Sequence, residues 1–369
     1  MADTLYFSRD TKVYIKIGSA IWEIPVLDGF SFSQATNASE ITLNEMSDTN
    51  GNSRRGRQMF TDSFAPAEWS FSTYARPFVS AGSGDGAADT AAKHHAVEEV
   101  LWALMVGDAS YASNTFTGFT ADTTDLDIVF THSNKTTLGT ADIFFVMGGA
   151  GSGTKTTYKI ANCCVNEASL DFDIDGIATI NWSGMGTIIT EDTAPTATVY
   201  EAVTSTSNFI RNRLTSLTVT AADTVTYPGT GDPAGTYDLV LTGGNITISN
   251  NMTFLTPETL GIVNQPLGHV TGTRSVSGNF TCYLNADTGS SADLFEDLIE
   301  DTTTITNDFT LLFKVGGSNT PRIELNMAQC HLELPTHSIE DVISLETNFH
   351  ALPSTIDGTD ELTIMYVGA

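Results

Sequence analysis

Apolar and polar residues alternate with a period of two in many short runs of this chain, the pattern of strands with one buried face. Gly29-Phe30-Ser31-Phe32-Ser33-Gln34 and Trp69-Ser70-Phe71-Ser72-Thr73-Tyr74 are two such runs. Asn245-Ile246-Thr247-Ile248-Ser249-Asn250 and Gly278-Asn279-Phe280-Thr281-Cys282-Tyr283 form a second pair with the same surroundings. The first strand of each pair is entered through glycine (Gly29; Gly243-Gly244). A long polar loop follows it, about 37–60 in one case and about 251–274 in the other. Each second strand leads to a predicted helix. His94 to Met105 places Val97, Leu101 and Leu104 at helical spacing and stops at Gly107. Ala292 to Ile299 carries the i,i+4 pairs Leu294/Leu298 and Phe295/Ile299, with Ser290 or Ser291 as the cap.

The repetition continues. Phe144-Phe145-Val146-Met147-Gly148-Gly149 matches Leu311-Leu312-Phe313-Lys314-Val315-Gly316-Gly317, and a strand ending near Cys163 or Cys330 follows each. Ser169-Leu170-Asp171-Phe172-Asp173-Ile174 matches His331-Leu332-Glu333-Leu334, and Ile177 to Trp182 matches Val342 to Thr347. A shared order of so many elements implies a tandem duplication of one mainly-β unit with a single flanking helix. The predicted domains are 1–193, with an insertion at about 111–140, and 194–369. Their boundary falls in the Thr/Ser-rich stretch from Thr190 to Ser207.

Composition narrows the function. The 369 residues hold 44 Asp and Glu against 16 Lys and Arg, a formal net charge of −28. Such a surface repels phosphate, so gripping nucleic acid is not expected. Hydrophobic residues make up 41%, enough for a packed core. No stretch approaches the length of a spanning helix, so no membrane partner is expected. The N-terminus carries no basic segment followed by an apolar run, and no cleaved signal is expected. Cys163, Cys164, Cys282 and Cys330 lack C-x-x-C spacing and read as buried thiols of a reducing cytosol.

Asn208-Phe209-Ile210-Arg211-Asn212-Arg213-Leu214, Gly243-Gly244, Phe254-Leu255-Thr256-Pro257-Glu258 and Gly268-His269-Val270-Thr271-Gly272-Thr273-Arg274 give the chain a family likeness. It resembles the major tail tube proteins of tailed bacteriophages, especially the duplicated form of long non-contractile tails. The resemblance spans essentially the whole chain and is most specific over about 208–285. It implies a β-sandwich or half-open barrel with one flanking helix per unit. It also implies closed rings stacked into a hollow tube for DNA ejection, in a virion assembled in the host cytoplasm. Single-copy members form hexameric rings; duplicated members close with three chains and pseudo-sixfold symmetry. The implied partners are the chain itself, a tape-measure protein, a tail terminator, distal tail or baseplate proteins, and viral DNA in transit. No cofactor and no enzymatic activity are implied.

In such a tube the polar strand faces are expected to line the lumen. In the first copy these are Ser31, Ser33, Glu68, Ser70, Ser72, Asp171, Asp173, Thr179 and Asn181. In the second they are Thr247, Ser249, Ser277, Asn279, Thr281, Glu333, Ser344 and Glu346. Acidic and small polar groups without Lys or Arg minimise phosphate contacts; three chains would carry 3 × (−28) = −84. Arg54, Arg55, Arg57 and Arg274, in or beside the long loops, are expected to make inter-subunit contacts.

Other chemistry is weaker. His95 and Glu99 form an i,i+4 pair without a second ligand cluster, and Glu98 and Glu99 read as surface residues. Asp171, Asp173 and Asp175 share one strand face and lack a calcium-loop spacing. No nucleophile elbow or P-loop occurs. The alternative reading is an extracellular or cell-surface β-sandwich adhesin; a secretion-system tube is a third.

Overall fold

A computed structural model of the chain describes residues 6–41, 49–52, 57–82, 92–107, 110–112, 115–130, 138–148, 155–196, 202–221, 235–300 and 309–369. The first half contains β1 (Lys12–Ile17), β2 (Ala20–Ile24), β3 (Ser31–Ile41), β4 (Gln58–Tyr74), β5 (Pro77–Val79), β6 (His94–Ala96) and helix α1 (Glu99–Val106). The short strands β7 (Tyr111–Ala112), β8 (Thr115–Phe116), β9 (Phe119–Ala121) and β10 (Leu126–Val129) follow. Then come β11 (Ala141–Gly148), β12 (Lys155–Asp173), β13 (Thr179–Gly186) and β14 (Ile189–Glu191). The second half runs β15 (Ser216–Ala221), β16 (Thr236–Leu239), β17 (Leu241–Ser249), β18 (Thr253–Leu255), β19 (Gly268–Val270), β20 (Ser275–Tyr283) and helix α2 (Ser291–Glu300). It ends with β21 (Phe309–Val315), β22 (Arg322–Leu332), β23 (Thr336–Ile339), β24 (Ile343–Ala351) and β25 (Thr363–Val367).

The chain is mainly β, and the sheet pairings between named strands are antiparallel. In the first half β3, β4, β13 and the C-terminal part of β12 pair in that order as an inner sheet. The N-terminal part of β12 joins an outer sheet, β2-β1-β11-β12-β14. The second half repeats both orders: β17-β20-β24-β22 inside and β16-β15-β21-β22-β25 outside. One long strand per half therefore crosses between layers, and the apolar sides of both layers close on one continuous core.

A side-chain exchange makes the equivalence of the halves concrete. Trp69 on β4 stands opposite Gly184 on β13. At the matching place Gly278 on β20 stands opposite Phe349 on β24. A Cβ on Gly184 would meet the Trp69 ring at 2.5 Å, and one on Gly278 would meet Phe349 at 2.8 Å. Each half thus lays one aromatic ring over a bare glycine, from opposite strands. The matches give offsets of 278 − 69 = 209 between β4 and β20, and 349 − 184 = 165 between β13 and β24.

The two inner sheets join into one. β12 pairs with β17 from Glu167↔Ser249 to Asp173↔Gly243, giving eight consecutive antiparallel strands. α1 sits behind this junction with every residue buried. Trp102 packs edge-on against Trp182 (4.8 Å between centroids) and donates Nε1–H to the Tyr366 hydroxyl of β25 (2.6 Å). Asn250 donates from Nδ2 to Met105 O (2.9 Å).

Five expectations are corrected. The first helix begins at Glu99, not His94, because His94–Ala96 pair as a strand with β5. Glu98 and Glu99 are buried rather than solvated: the Glu98 carboxylate accepts the Arg76 backbone N–H, and Glu99 Oε2 lies 2.9 Å from His95 Nδ1. Much of the predicted loop 37–60 is hairpin, since the backbones of β3 and β4 stay paired out to Ile41↔Gln58. Asp175 leaves its strand and faces Arg213 across a turn at 3.6 Å. The Ser290 and Ser291 hydroxyls donate to Asn285 O and Tyr283 O rather than capping α2.

Arg76 fastens the connecting segment through hydrogen bonds to Ala202 O, Ser205 O and Asn208 Oδ1, while its guanidinium lies over Phe209. Burial pushes the neighbouring Glu98 up to about 7 from 4.5. The folded chain therefore keeps a proton on Glu98 where an unfolded chain has lost it. That contribution is whole below about pH 4.5 and is lost as pH rises through about 7. Glu98→Gln is expected to gain stability relative to wild type from about pH 5 to pH 8, by at most about 3 kcal/mol, in melts run side by side. For the aromatic exchange, Trp69→Gly is expected to cost about 3–5 kcal/mol and Gly184→Phe to clash. A Cβ at 184 also meets the Cys164 backbone oxygen at 2.0 Å, so Gly184→Phe is expected to stay destabilising in a Trp69→Gly background.

Candidate functional site

The eight-stranded sheet has one apolar face, turned to the core, and one polar face. Trp69, Phe71, Leu170, Ile180, Trp182, Ile246, Phe280 and Phe349 fill the first. Strand alternation then forces their neighbours onto the second. Register sets those residues side by side. Ser31, Ser70, Ser183, Glu167, Ser249 and Ser275 form one row across six strands. Ser72, Asn181, Ser169, Thr247, Ser277 and His350 form the next, extended by His331. Asp171, Asn245, Asn279 and Asn348 follow, with Thr179 on β13. Asp173, Gly243, Thr281, Glu346 and Thr336 form a fourth row. Ser33 stands beside Glu68, Ser344 beside Tyr283, and Glu333 beside Asn348.

Each of the polar positions proposed from alternation thus falls on this one face. Sequence reasoning missed Glu167, Ser169, Ser183, Asn245, Ser275, Asn348, His331 and His350. Carrying the period-two count along each strand would have found them.

The face is acidic and its hydrogen-bond donors are largely used up. Asn181 Nδ2 donates to Asp171 Oδ2 (3.0 Å), Asn279 Nδ2 to Glu346 Oε1 (3.1 Å), and Asn348 Nδ2 to Glu333 Oε2 (2.8 Å). Ser72 donates to Asn181 Oδ1 (2.6 Å), and the Ser31 and Ser70 hydroxyls bond each other (2.9 Å). The Asn348 amide, then His350, holds the Glu333 carboxyl below the usual carboxylate range. Strands β3, β4, β13, β17, β20 and β24 contain no Lys or Arg. Among the described residues the imidazoles on this face are His331 and His350, the latter 3.6 Å from Glu333.

Both sides of the sheet end in open edges. Among the described residues β3 is paired on β4 alone and β23 on β24 alone. β23 is exposed along its whole length, with Leu334, Ile339 and Val342 in solvent around it.

The predicted arginine contacts separate. Arg54 and Arg55 lie outside the described residues. Arg57 pairs with Glu40 across the β3–β4 hairpin. Arg274, expected to make inter-subunit contacts, is held within the chain. Its Nε meets Glu361 Oε1 at 2.6 Å, its Nη2 donates to Phe130 O and Thr359 O, and it lies over the Phe130 ring. A guanidinium withdrawn from water needs such partners to offset its desolvation.

Among the described residues no cluster of His, Cys, Asp or Glu is placed to hold a metal ion. No helix among them is long and apolar enough to cross a membrane. The four cysteines are free and buried, and burial pushes Cys164 and Cys330 up to about 12. These thiols are poor nucleophiles.

Comparison with known proteins gives two matches. The family profile described as phage tail tube protein matches residues 36–351. A protein of Escherichia phage T5 named tail tube protein pb6 is 31% identical over 375 residues, covering 97% of this chain and 75% of that protein.

Asn348→Ala is expected to raise the Glu333 carboxyl toward its ordinary range, because the bond that favours its ionised form is gone. Side-chain carboxyl NMR over a pH series reads the shift; an unmoved Glu333 would mean that the amide has no electrostatic role there.

Proposed function

The chain belongs to the phage tail tube proteins, a structural component of the virion, and from that premise we propose that three copies close a ring around a channel that conducts DNA. The two halves, 1–193 and 194–369, act as two wedges of the wall. The β12–β17 junction carries this reading. It is a finished wedge-to-wedge contact inside one chain, and the open β3 and β22–β23 edges are its two unmatched sides. Pairing them between copies repeats the junction and leaves no edge bare. The number three follows the single-copy members of the family, which close with six. Eight strands from each of three chains at about 4.8 Å give a wall about 115 Å around and about 37 Å across, room for a DNA duplex.

The polar face then lines the channel, with Asp171, Asp173, Glu333 and Glu346 toward DNA. Carboxylates whose neighbouring amides already bond them offer phosphate repulsion and few donors, so DNA passes without specific binding. The wall has no catalytic part in this reading. Stacking of rings falls to the exposed apolar loop that holds Leu260, Ile262 and Leu267. The tape-measure, terminator and distal tail proteins are partners by the same reading.

The junction also fixes a register. Ser169↔Thr247 within the chain becomes Thr336 of one copy against Ser33 of the next, and Asp171↔Asn245 becomes Ser338 against Ser31. Ser33→Cys with Thr336→Cys is expected to form disulfides between copies, giving species of two and three chains on a denaturing gel and none larger. Ser169→Cys with Thr247→Cys is the control that closes within one chain. Assembled tubes in which the control oxidises and the Ser33/Thr336 pair does not would refute this closure.

A further inference from the structure

Each half carries a hairpin arm beyond its inner sheet, and the two arms sit differently. In the second half β17 and β20 stop at Ser249 and Ser275, and the arm beyond them, β18–β19, folds sideways over the first half. Met252 N–H donates to Asn166 Oδ1 (2.9 Å). Leu138 N–H donates to His269 Nε2 (2.7 Å), whose Nδ1 lies 3.1 Å from Cys164 Sγ. Further along, Asn264 exchanges backbone hydrogen bonds with β4: Phe64 N–H to Asn264 O (2.9 Å) and Asn264 N–H to Asp62 O (3.1 Å). Cys164, Leu138 and Met252, with Met185 and Phe254, pack into a sealed cluster underneath. In the first half β3 and β4 run straight on instead. Met59 and Phe60 on that arm are 63% and 60% exposed.

The surface that a folded arm would cover in the second half is open. A groove of about 640 Å³ lies at the ends of β20 and β24, walled by Thr271, Thr273, Val276, His350, Leu352 and Glu361. Its place follows from the offsets between the halves. Positions 62–64, which the second arm clasps, correspond to 62 + 209 = 271 through 64 + 209 = 273. Met185, under that arm, corresponds to 185 + 165 = 350, His350. An independent sign that the groove takes an occupant is Glu361. It is only 5% exposed; Arg274 takes its Oε1, and its Oε2 has no hydrogen-bond partner. A buried carboxylate oxygen without a donor is costly and marks a missing contact.

We propose that the β3–β4 arm of one copy folds laterally into this groove of the adjoining copy in the same ring. Positions 38–41 and 57–61 do there what β18–β19 does within the chain. The move buries Met59 and Phe60. The occupant is a second copy because the template is the chain's own first-half contact, and because the groove adjoins the β22–β23 edge at which that copy is expected to pair. The proposal rests on the ring reading and goes beyond it: the arm clasps a neighbour around the ring, not one along the tube.

Phe60→Cys with Thr355→Cys, treated after assembly with a short bismaleimide, separates the cases. The native cysteines are buried and leave the engineered pair as the reporter. A lateral clasp gives cross-linked species that end at three chains. A ladder continuing past three chains means the arm reaches along the tube, and overturns the proposal. Assembled tubes without any cross-link also overturn it, while leaving the ring reading intact. Chains that stay monomeric under all conditions overturn both. Met59→Ser with Phe60→Ser is expected to leave the melting temperature of the free chain unchanged and to reduce assembly at least tenfold; a variant that assembles like wild type contradicts the clasp.

Discussion

A strand at the margin of a sheet leaves backbone N–H and C=O groups without partners, and an exposed margin pairs with whatever fits it. This chain contains two such margins, β3 and β22–β23, at opposite ends of one eight-stranded sheet. It also contains the solution, because β12 and β17 satisfy the same kind of margin internally over seven registered positions. In the proposed ring, closure is that pairing used again between chains. Joining two wedges in one polypeptide makes one contact in every two intramolecular, which lowers the entropic cost of closing the wall.

The two kinds of seam are not finished alike. The internal one has α1 wedged behind it, with Trp102 linking Trp182 to Tyr366. Arg76 and Glu98 tie the connecting segment to the base of that helix. Strand β10, from the first half, pairs with β25 of the second and strengthens the tie. α2, the counterpart of α1, keeps Ile299 in solvent and packs Phe295 on His337 of the open margin. The internal seam is thus built into the core, whereas the β23 margin carries an exposed strand, an uncovered helix flank and the groove beside it.

The fold was legible in the sequence wherever a strand had one buried face. Alternation located β3, β4, β12, β13, β17, β20 and β24 and sorted their residues between core and polar face. The order of elements revealed the duplication. Burial by the other half was not legible. Val100 to Val106 are apolar on all sides because the helix is covered all round, so the stripe read from the sequence starts too early and the burial of Glu98 and Glu99 has no local sign. The β3–β4 arm read as a loop because backbone pairing holds it while both its faces stay wet. Arg274 lies in a stretch read as polar loop, and only the fold brings Glu361 to it. The groove leaves no local pattern at all: it emerges when the halves are laid over each other and one arm is found to lack a counterpart.

The central claim is that one chain supplies two equivalent wedges, so three chains complete a ring. Native mass spectrometry of single rings released from assembled tubes measures this directly. The account predicts 3 × 39.4 = 118.2 kDa per ring. A ring of six chains, or any number other than three, would contradict it.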